Sequence, residues 1–228
     1  MSATTRIKIC GLARVADLRA AERAGADYVG AIVEVPWSPR AVTVAQAAAL
    51  RRAARLPWVC VTVSQDPVFC RSLLSELRPA ALQLHGLALL EVVQALSPAD
   101  RGETELWACL GVPAAGSAPP ETLPRLLAEA QALAAAGVQC LVLDTAAGKH
   151  SGGTGRTLAW ALAAGLAQAA ESPRLFLAGG LGPDNVAEAI AAVRPYGVDA
   201  SSRLERAPGV KSPHLVTEFV AAVRAAHG

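Results

Sequence analysis

Short apolar runs recur along the chain and alternate with segments whose apolar residues are spaced three or four apart. Eight of these runs are predicted as strands: Ile7 to Cys10, Tyr28 to Val33, Val59 to Val63, Ala81 to Leu84, Leu106 to Leu110, Cys140 to Asp144, Leu175 to Ala178 and Val198 to Ser201. The intervening spacing, as at Val15, Leu18, Ala21 and Ala24, predicts helices. The pattern therefore predicts a strand followed by a helix, repeated eight times.

Several junctions place a glycine or proline where a helix would stop, directly before an apolar run, as in AGADYVG, AAGVQCLVL and RPYGVDAS. Strands that are apolar throughout are typical of parallel strands buried on both faces, with the crossover helices outside. Eight such units predict a (β/α)8 TIM barrel of the α/β class. An open doubly wound sheet has the same local pattern and remains the alternative.

The domain prediction is a single barrel spanning residues 1–228. No Pro/Gly/Ser-rich linker divides the chain. The nearest candidate, Gly111 to Thr122, lies where the loop after the fifth strand is expected. Hydrophobic residues make up 53% of the sequence and charged residues 18%, so a sizeable core is available.

Charge and apolar run lengths exclude several classes of partner. The net charge is only +2 and the arginines are spread along the sequence, which argues against nucleic acid. No apolar stretch approaches the roughly 20 residues that span a bilayer, and the N-terminus has no signal-peptide pattern. Five cysteines are present without a CxxC pair, so neither a disulfide framework nor a metal site is expected. We expect a cytoplasmic protein with reduced thiols.

Polar residues close several predicted strands, where the working groups of a barrel lie. They are Cys10, Arg40 in the loop WSPRAV, Gln83 and His85 in QLHG, Asp144 in LVLD, and Asp199 and Ser201 in VDASS. Two glycine-rich loops, SGGTG at Ser151 to Gly155 and AGGLGPDN at Ala178 to Asn185, each precede a predicted helix. Glycine lets backbone N–H groups approach an anion, so the two loops are candidates for a phosphate site. Taken singly, each is also explained as a turn.

The motifs KICG, SPR, QLHG, LVLD followed by GGTG, LFLAGGLGPDNV and VDASSRLERAPGVKS occur in this order from Arg6 to about Phe219. Together they closely resemble phosphoribosylanthranilate isomerase of tryptophan biosynthesis. The resemblance implies a barrel that converts an aminoribofuranose phosphate carrying anthranilate into the open-chain aminodeoxyribulose phosphate by an Amadori rearrangement. It implies acid and base catalysis on a small phosphorylated substrate, without cofactor or metal.

By this resemblance, Asp144 is the acid that protonates the furanose ring oxygen and Cys10 is the base that removes the C2 proton. Arg40 pairs with the anthranilate carboxylate, and Gln83 and His85 lie near the substrate. The further substrate-binding residues, which include the phosphate loops, are Gly153, Gly155, Gly179, Gly180, Ser201, Ser202 and Arg203.

Each catalytic assignment requires a particular pKa. Cys10 has to be partly thiolate, so its pKa should be modestly lowered, and Lys8, two residues away on the same strand, can supply a cation if both face the interior. Without the resemblance, a small buried cysteine that only packs explains Cys10 as well. Asp144 needs a pKa well above about 4, which calls for a partly desolvated site.

The chain departs from the usual family pattern at three places. Arg203 in SSRLE stands where a glycine is usual; it is strained if that backbone needs positive φ and harmless if the backbone is ordinary. An aromatic-aspartate pair is replaced in RTLAW, Arg156 to Trp160, and the third strand reads VCVTVSQ. Arg203 is the departure closest to the expected phosphate.

Two other interpretations remain open at the level of sequence. A related sugar-phosphate isomerase performs the same rearrangement with two aspartates, and the cysteine of KICG argues against it. A catalytically silent barrel that binds a phosphorylated metabolite is the second, because fold does not imply activity. The oligomeric state is left as monomer or homodimer.

Overall fold

A computed structural model of the chain describes residues 4–86, 88–114, 119–145, 159–169 and 173–226. Its strands are β1 (Arg6–Ile9), β2 (Tyr28–Val33), β3 (Ala41–Val42), β4 (Trp58–Thr62), β5 (Ala81–Leu84), β6 (Glu105–Val112), β7 (Cys140–Thr145), β8 (Arg174–Leu177), β9 (Gly197–Ala200), β10 (Glu205–Ala207) and β11 (Val210–Lys211). Its helices are α1 (Val15–Ala24), α2 (Val44–Ala53), α3 (Pro67–Leu77), α4 (Leu89–Ala95), α5 (Pro98–Arg101), α6 (Thr122–Ala135), α7 (Trp160–Ala167), α8 (Val186–Val193) and α9 (Pro213–Ala225).

Eight parallel strands close into a ring. β1 pairs with β2, the ring continues through β4, β5, β6, β7, β8 and β9, and β9 pairs back with β1. All eight predicted strands are present, and the closure by Lys8↔Tyr28 and Ile9↔Val29 excludes the open doubly wound sheet. The (β/α)8 barrel is confirmed. Two features were not predicted. They are the short strand β3, which pairs with the C-terminal end of β2, and the antiparallel hairpin β10–β11.

Helix ends at the predicted junctions follow the expected stop signals. Gly25, at the C-terminal end of α1, has φ 92°, a left-handed conformation that favours glycine. At the end of α8 the left-handed residue is Arg194, and Pro195 follows it. Within the described ranges, none of the helices combines the length and apolar character needed to cross a membrane.

The core has two layers, one between the strands and the helices and one inside the barrel. Trp107 and Phe176 stack with ring centroids 4.9 Å apart inside the barrel, and Tyr28 meets both edge-on. Gly197 makes room for this stack, because a Cβ there would lie 2.4 Å from Phe176. Aromatic rings thus fill the middle of the barrel. The space above them, at the C-terminal ends of the strands, forms a cavity.

Candidate active site

A cavity of about 280 Å³ opens at the C-terminal ends of the barrel strands. The cavity is lined by ten of the candidate residues that were predicted from the sequence: Cys10, Arg40, Gln83, His85, Asp144, Gly179, Gly180, Asp199, Ser201 and Ser202. They come from six different strand ends or the loops that follow them, and the closed ring brings them together. Gly153 and Gly155 lie outside the described residues.

Cys10 and Lys8 lie on the same side of the first strand, as the strand pattern predicted, and in the structure this side faces the barrel interior. Lys8 is fully buried, and its Nζ donates to Asp199 Oδ2 at 2.6 Å. Gly30 leaves space for both side chains, since a Cβ there would lie 3.2 Å from Lys8 Cε and 3.3 Å from Cys10 Sγ. Lys8 therefore forms an ion pair with Asp199 and lies beside the thiol.

The pKa of the Cys10 thiol lies above its ordinary value. Burial raises it, and the neighbouring Lys8 ammonium opposes the rise without cancelling it. This direction is opposite to the modest lowering expected from the sequence. The cation is present as expected, but the desolvation of a thiol at the base of the cavity outweighs it. In the substrate-free protein Cys10 is predominantly a neutral thiol.

Asp144 lies near the end of β7 and has the perturbed carboxyl that a general acid needs. Burial raises its pKa to about 6, and the negative charge of Asp199 adds to the rise. The N–H of Thr145 donates to Asp144 Oδ1 at 2.7 Å and partly counteracts it. About one Asp144 in ten is therefore protonated at pH 7, and about half at pH 6.

Gln83 and His85 both face the cavity, as their alternate positions predicted. Gln83 Nε2 lies 2.8 Å from His85 Nε2. Burial, helped by the charge of Lys8, lowers the pKa of His85 to about 4, so the imidazole is neutral. Gln83 Oε1 and Asp199 Oδ1 are buried and accept no hydrogen bond from any residue in the described part of the chain. Two buried acceptors at this end of the barrel thus lack a donor among the described residues.

Arg40 lines the cavity from the loop that follows β2. Its Nε and Nη2 donate to the two oxygens of Glu205, at 2.7 Å and 2.9 Å. The stem of Arg40 passes close to Gly11, where a Cβ would lie 2.8 Å from Arg40 Cδ. Arg40 is therefore held in place by the protein itself, with its guanidinium at the cavity wall.

The loop after β8 has a backbone that only glycine adopts readily. Gly179 and Gly180 have φ of 79° and 69°. Asn185, which directly precedes α8, ties the loop together: its Oδ1 accepts from the N–H of Gly182, and its Nδ2 donates to the carbonyl of Gly180. This loop faces Ser201 and Ser202 across the cavity mouth. The arrangement is typical of phosphate sites in barrels.

Arg203 has an ordinary backbone, since it lies in the single turn of 3-10 helix Ser202–Leu204 and is not among the residues with positive φ. The strain considered for an arginine at this position is therefore absent. Its side chain turns behind the cavity, where Nη1 donates to the carbonyl of Gly180 at 3.1 Å and Nη2 to Asp184 Oδ2 at 2.7 Å. Arg203 links the two halves of the candidate phosphate site.

Sequence reasoning gave no role to Glu205 and Lys211, although both lie in the quoted block SSRLERAPGVKS. They face each other in the hairpin β10–β11, and Lys211 Nζ donates to Glu205 Oε1 at 2.8 Å. The Pro208-Gly209 dipeptide between them is a turn signal that indicates such a hairpin.

The opposite wall of the cavity is apolar and includes Ile32, Val35, Val61 and Val63.

The described residues contain no group of three or more His, Cys, Asp or Glu side chains arranged to hold a metal ion. An acid with a pKa near neutrality, a thiol beside a lysine, an arginine and a glycine-lined loop surround one cavity with an apolar wall. Such a site is suited to proton transfers on a substrate that carries a carboxylate, an aromatic ring and a phosphate.

Comparison with known proteins agrees with this geometry. Residues 7–222 match the family model for N-(5'-phosphoribosyl)anthranilate (PRA) isomerase. The N-(5'-phosphoribosyl)anthranilate isomerase of Haloferax volcanii is 38% identical over 227 residues, covering 98% of this chain and 95% of the relative. The match spans both catalytic candidates and the whole barrel.

Solved structures of the same enzyme superpose over nearly the full length. A crystal structure of monomers generated from the dimeric phosphoribosylanthranilate isomerase of Thermotoga maritima has a TM-score of 0.78 and 28% identity, covering 97% of this chain and 99% of that one. A phosphoribosylanthranilate isomerase in complex with reduced 1-(o-carboxyphenylamino)-1-deoxyribulose 5-phosphate has a TM-score of 0.76 and 25% identity, with the same coverage. The chain belongs to the N-(5'-phosphoribosyl)anthranilate isomerase family and catalyses the isomerisation of phosphoribosylanthranilate in tryptophan biosynthesis.

Proposed function

We propose that Asp144 and Cys10 carry out the two proton transfers of this isomerisation. The observation that carries the proposal is the pKa of about 6 at Asp144. Asp144 lines the same cavity as Cys10, whose thiol lies beside Lys8. An acid that remains partly protonated at neutral pH and a base that can take the C2 proton are the two groups that the chemistry requires. Both lie at strand ends of a rigid barrel, which fixes their separation.

In the first step, the Asp144 carboxyl gives its proton to the furanose ring oxygen as the C1–O bond breaks. The lone pair of the anthranilate nitrogen forms the C1–N double bond, which leaves a cationic Schiff base. In the second step, the Cys10 thiolate takes the C2 proton, and the C2–H electrons form an enolamine as the nitrogen regains its lone pair. Tautomerisation of the enolamine gives the ketone, so no external oxidant or reductant takes part.

The remaining residues bind the two ends of the substrate. Arg40 pairs with the anthranilate carboxylate while the apolar wall contacts the ring. The phosphate binds at backbone N–H groups of Gly179, Gly180, Ser201 and Ser202, and we extend this site to Gly153 and Gly155. Arg203 contributes by fixing the loop at Gly180. Gln83 and His85, with the unpaired oxygens of Gln83 and Asp199, face the sugar hydroxyls.

We further propose that the enzyme works in the cytoplasm as a monomer or a homodimer. All five cysteines are unpaired and buried, which suits a reducing compartment. The phosphoribosylanthranilate isomerase of Thermotoga maritima is dimeric, which makes the homodimer the first form to test. Size-exclusion chromatography with light scattering on the purified chain distinguishes the two masses.

Steady-state kinetics of Cys10→Ser test the assignment of the base. Phosphoribosylanthranilate is made in situ and the loss of its anthranilate-type fluorescence is followed. We expect kcat to fall by about 10²- to 10⁴-fold, the usual contribution of a positioned acid or base. Cys109→Ser is the matched control, because Cys109 lies in the same interior cluster at the same 7% exposure. Activity of Cys10→Ser within a few-fold of wild type would remove Cys10 from the mechanism.

A further inference from the structure

Glu205 is a buried carboxylate that accepts four hydrogen bonds. Its oxygens accept from Arg40 Nε at 2.7 Å, Arg40 Nη2 at 2.9 Å, Lys211 Nζ at 2.8 Å and the N–H of Gly209 at 3.3 Å. Its side chain is only 4% exposed. The hydrogen bond from Arg40 and the charge of Lys211 outweigh the effect of burial and lower the pKa of Glu205, so it is ionised. One anion thus neutralises two cations beside the cavity.

Lys211 extends this network to the opposite side of the site. It is fully buried, and its Nζ also donates to the carbonyl oxygen of Ser201 at 3.0 Å and to Ser201 Oγ at 3.3 Å. Ser201 lines the cavity at the end of β9, and Arg40 lines it from the loop after β2. The hairpin β10–β11 therefore connects Arg40, at the proposed site for the substrate carboxylate, with Ser201, at the proposed site for the substrate phosphate.

The contacts of Arg40 leave one particular edge of its guanidinium for a ligand. A guanidinium has two edges that can bind a carboxylate with two parallel hydrogen bonds. Glu205 occupies the edge formed by Nε and Nη2. The edge formed by Nη1 and the second hydrogen of Nη2 remains, and none of the hydrogen bonds in the described part of the chain uses Nη1.

We propose that Glu205 is a positioning residue, which holds the side edge of the Arg40 guanidinium so that its end edge is presented to the anthranilate carboxylate. The inference rests on the proposed role of Arg40 and extends it to a residue that does not line the cavity. Lys211 Nζ donates both to Glu205 Oε1 and to Ser201, so the hairpin sets the distance between the two binding ends.

The charge balance explains why a carboxylate is required. Arg40 is 15% exposed and Lys211 is not exposed at all, and both lie within hydrogen-bond distance of Glu205. An uncharged side chain at position 205 removes the carboxylate that Arg40 and Lys211 share, and leaves these two cations facing each other. Arg40, the more exposed of the two, is then expected to turn away from the hairpin and to lose its fixed orientation.

The orientation of Arg40 can be tested separately from catalysis by comparing the binding of two ligands, one with the ring carboxylate and one without it. The probes are the reduced product, 1-(2-carboxyphenylamino)-1-deoxyribitol 5-phosphate, and its analogue that lacks the ring carboxyl. Isothermal titration gives the ratio of their two dissociation constants for wild type, Glu205→Gln and Glu205→Asp. We expect Glu205→Gln to reduce the preference for the carboxylated probe by about ten-fold or more, because a charge-assisted pair is lost. Glu205→Asp, which keeps the charge, should give an intermediate ratio.

Glu218→Gln in α9 is the matched control, since Glu218 is exposed and pairs only with His214 among the described residues. An equal weakening of both probes by Glu205→Gln overturns the inference, because it indicates a general structural effect. If wild type itself does not prefer the carboxylated probe, the role of Arg40 fails instead. Should Glu205→Gln not fold, a wild-type ratio in Glu205→Asp overturns the inference, since the shorter side chain cannot keep both contacts to Arg40.

Discussion

Replacing Asp144 by asparagine should abolish most of the activity and stabilise the protein at neutral pH. Both effects follow from the carboxyl pKa of about 6, which burial and the charge of Asp199 produce. Asparagine keeps the size of the side chain and an oxygen for the N–H of Thr145, which donates to Asp144 Oδ1 at 2.7 Å. The substitution therefore removes the titrating proton with little change in packing.

The magnitude follows from the difference between the folded and unfolded pKa of this carboxyl. The folded value of about 6 lies roughly two units above the ordinary value of about 3.9, which corresponds to about 3 kcal/mol. Because the folded pKa is raised, the proton stabilises the folded state below about pH 4, and this contribution is lost as the pH rises through 6. At pH 7 the ionised Asp144 therefore destabilises the protein by up to about 3 kcal/mol.

Urea denaturation at several pH values measures this effect. We expect Asp144→Asn to be more stable than wild type at pH 7.5 and the difference to vanish below about pH 4. The same variant should lose about 10²- to 10⁴-fold in kcat while its affinity for the reduced product stays nearly intact. The carboxyl ¹³C resonance that disappears in the variant should titrate in wild type with a midpoint of about 6.

Asp100→Asn is the control of opposite sign. Asp100 is a surface residue whose pKa is lowered by hydrogen bonds from the hydroxyl and the N–H of Ser97, so its substitution should cost stability at pH 7. A carboxyl resonance of Asp144 that titrates near 4, or an Asp144→Asn variant with no stability gain at pH 7.5, would refute the assignment of a desolvated acid. Survival of kcat in that variant would separately exclude Asp144 as the general acid.

Two further predictions concern substrate binding. Arg40→Lys should raise KM for phosphoribosylanthranilate, since lysine cannot satisfy Glu205 and a substrate carboxylate with paired hydrogen bonds; an unchanged KM in steady-state assays counts against the contact. Arg203→Gly should weaken binding of the phosphorylated substrate, because the loop loses the hydrogen bond to the Gly180 carbonyl and the ion pair with Asp184. Tighter binding of the reduced product by Arg203→Gly, measured by titration, contradicts this role.

The strands and the closed barrel were predictable because the strand runs are apolar throughout. Such runs indicate parallel strands covered on both faces, and eight of them suffice to close a ring. The short strand β3 and the hairpin β10–β11 have two or three residues per strand and carry little periodicity. Their pairing depends on neighbours in space, which the local sequence pattern does not contain.

The site was predictable to the extent that its residues close barrel strands. Cys10, Gln83 and Asp144 line the cavity for this reason. The contacts of Arg203 and Glu205 were not predictable, since Asp184 lies 19 residues before Arg203 and Arg40 lies 165 residues before Glu205. The expected lowering of the Cys10 pKa was wrong, because the strand pattern predicts that Lys8 is near but not how deeply the thiol is buried.

The raised thiol pKa constrains the order of events under the proposed roles. At pH 7 about one Asp144 in ten is protonated at a pKa of about 6, and at most about three per cent of an ordinary thiol is ionised. The productive pair, a protonated acid and a thiolate, is therefore present in less than about three molecules per thousand of the free enzyme. Ring opening by Asp144 produces a cationic Schiff base next to Cys10, and this positive charge lowers the thiol pKa. The acid must act first, and its product then activates the base.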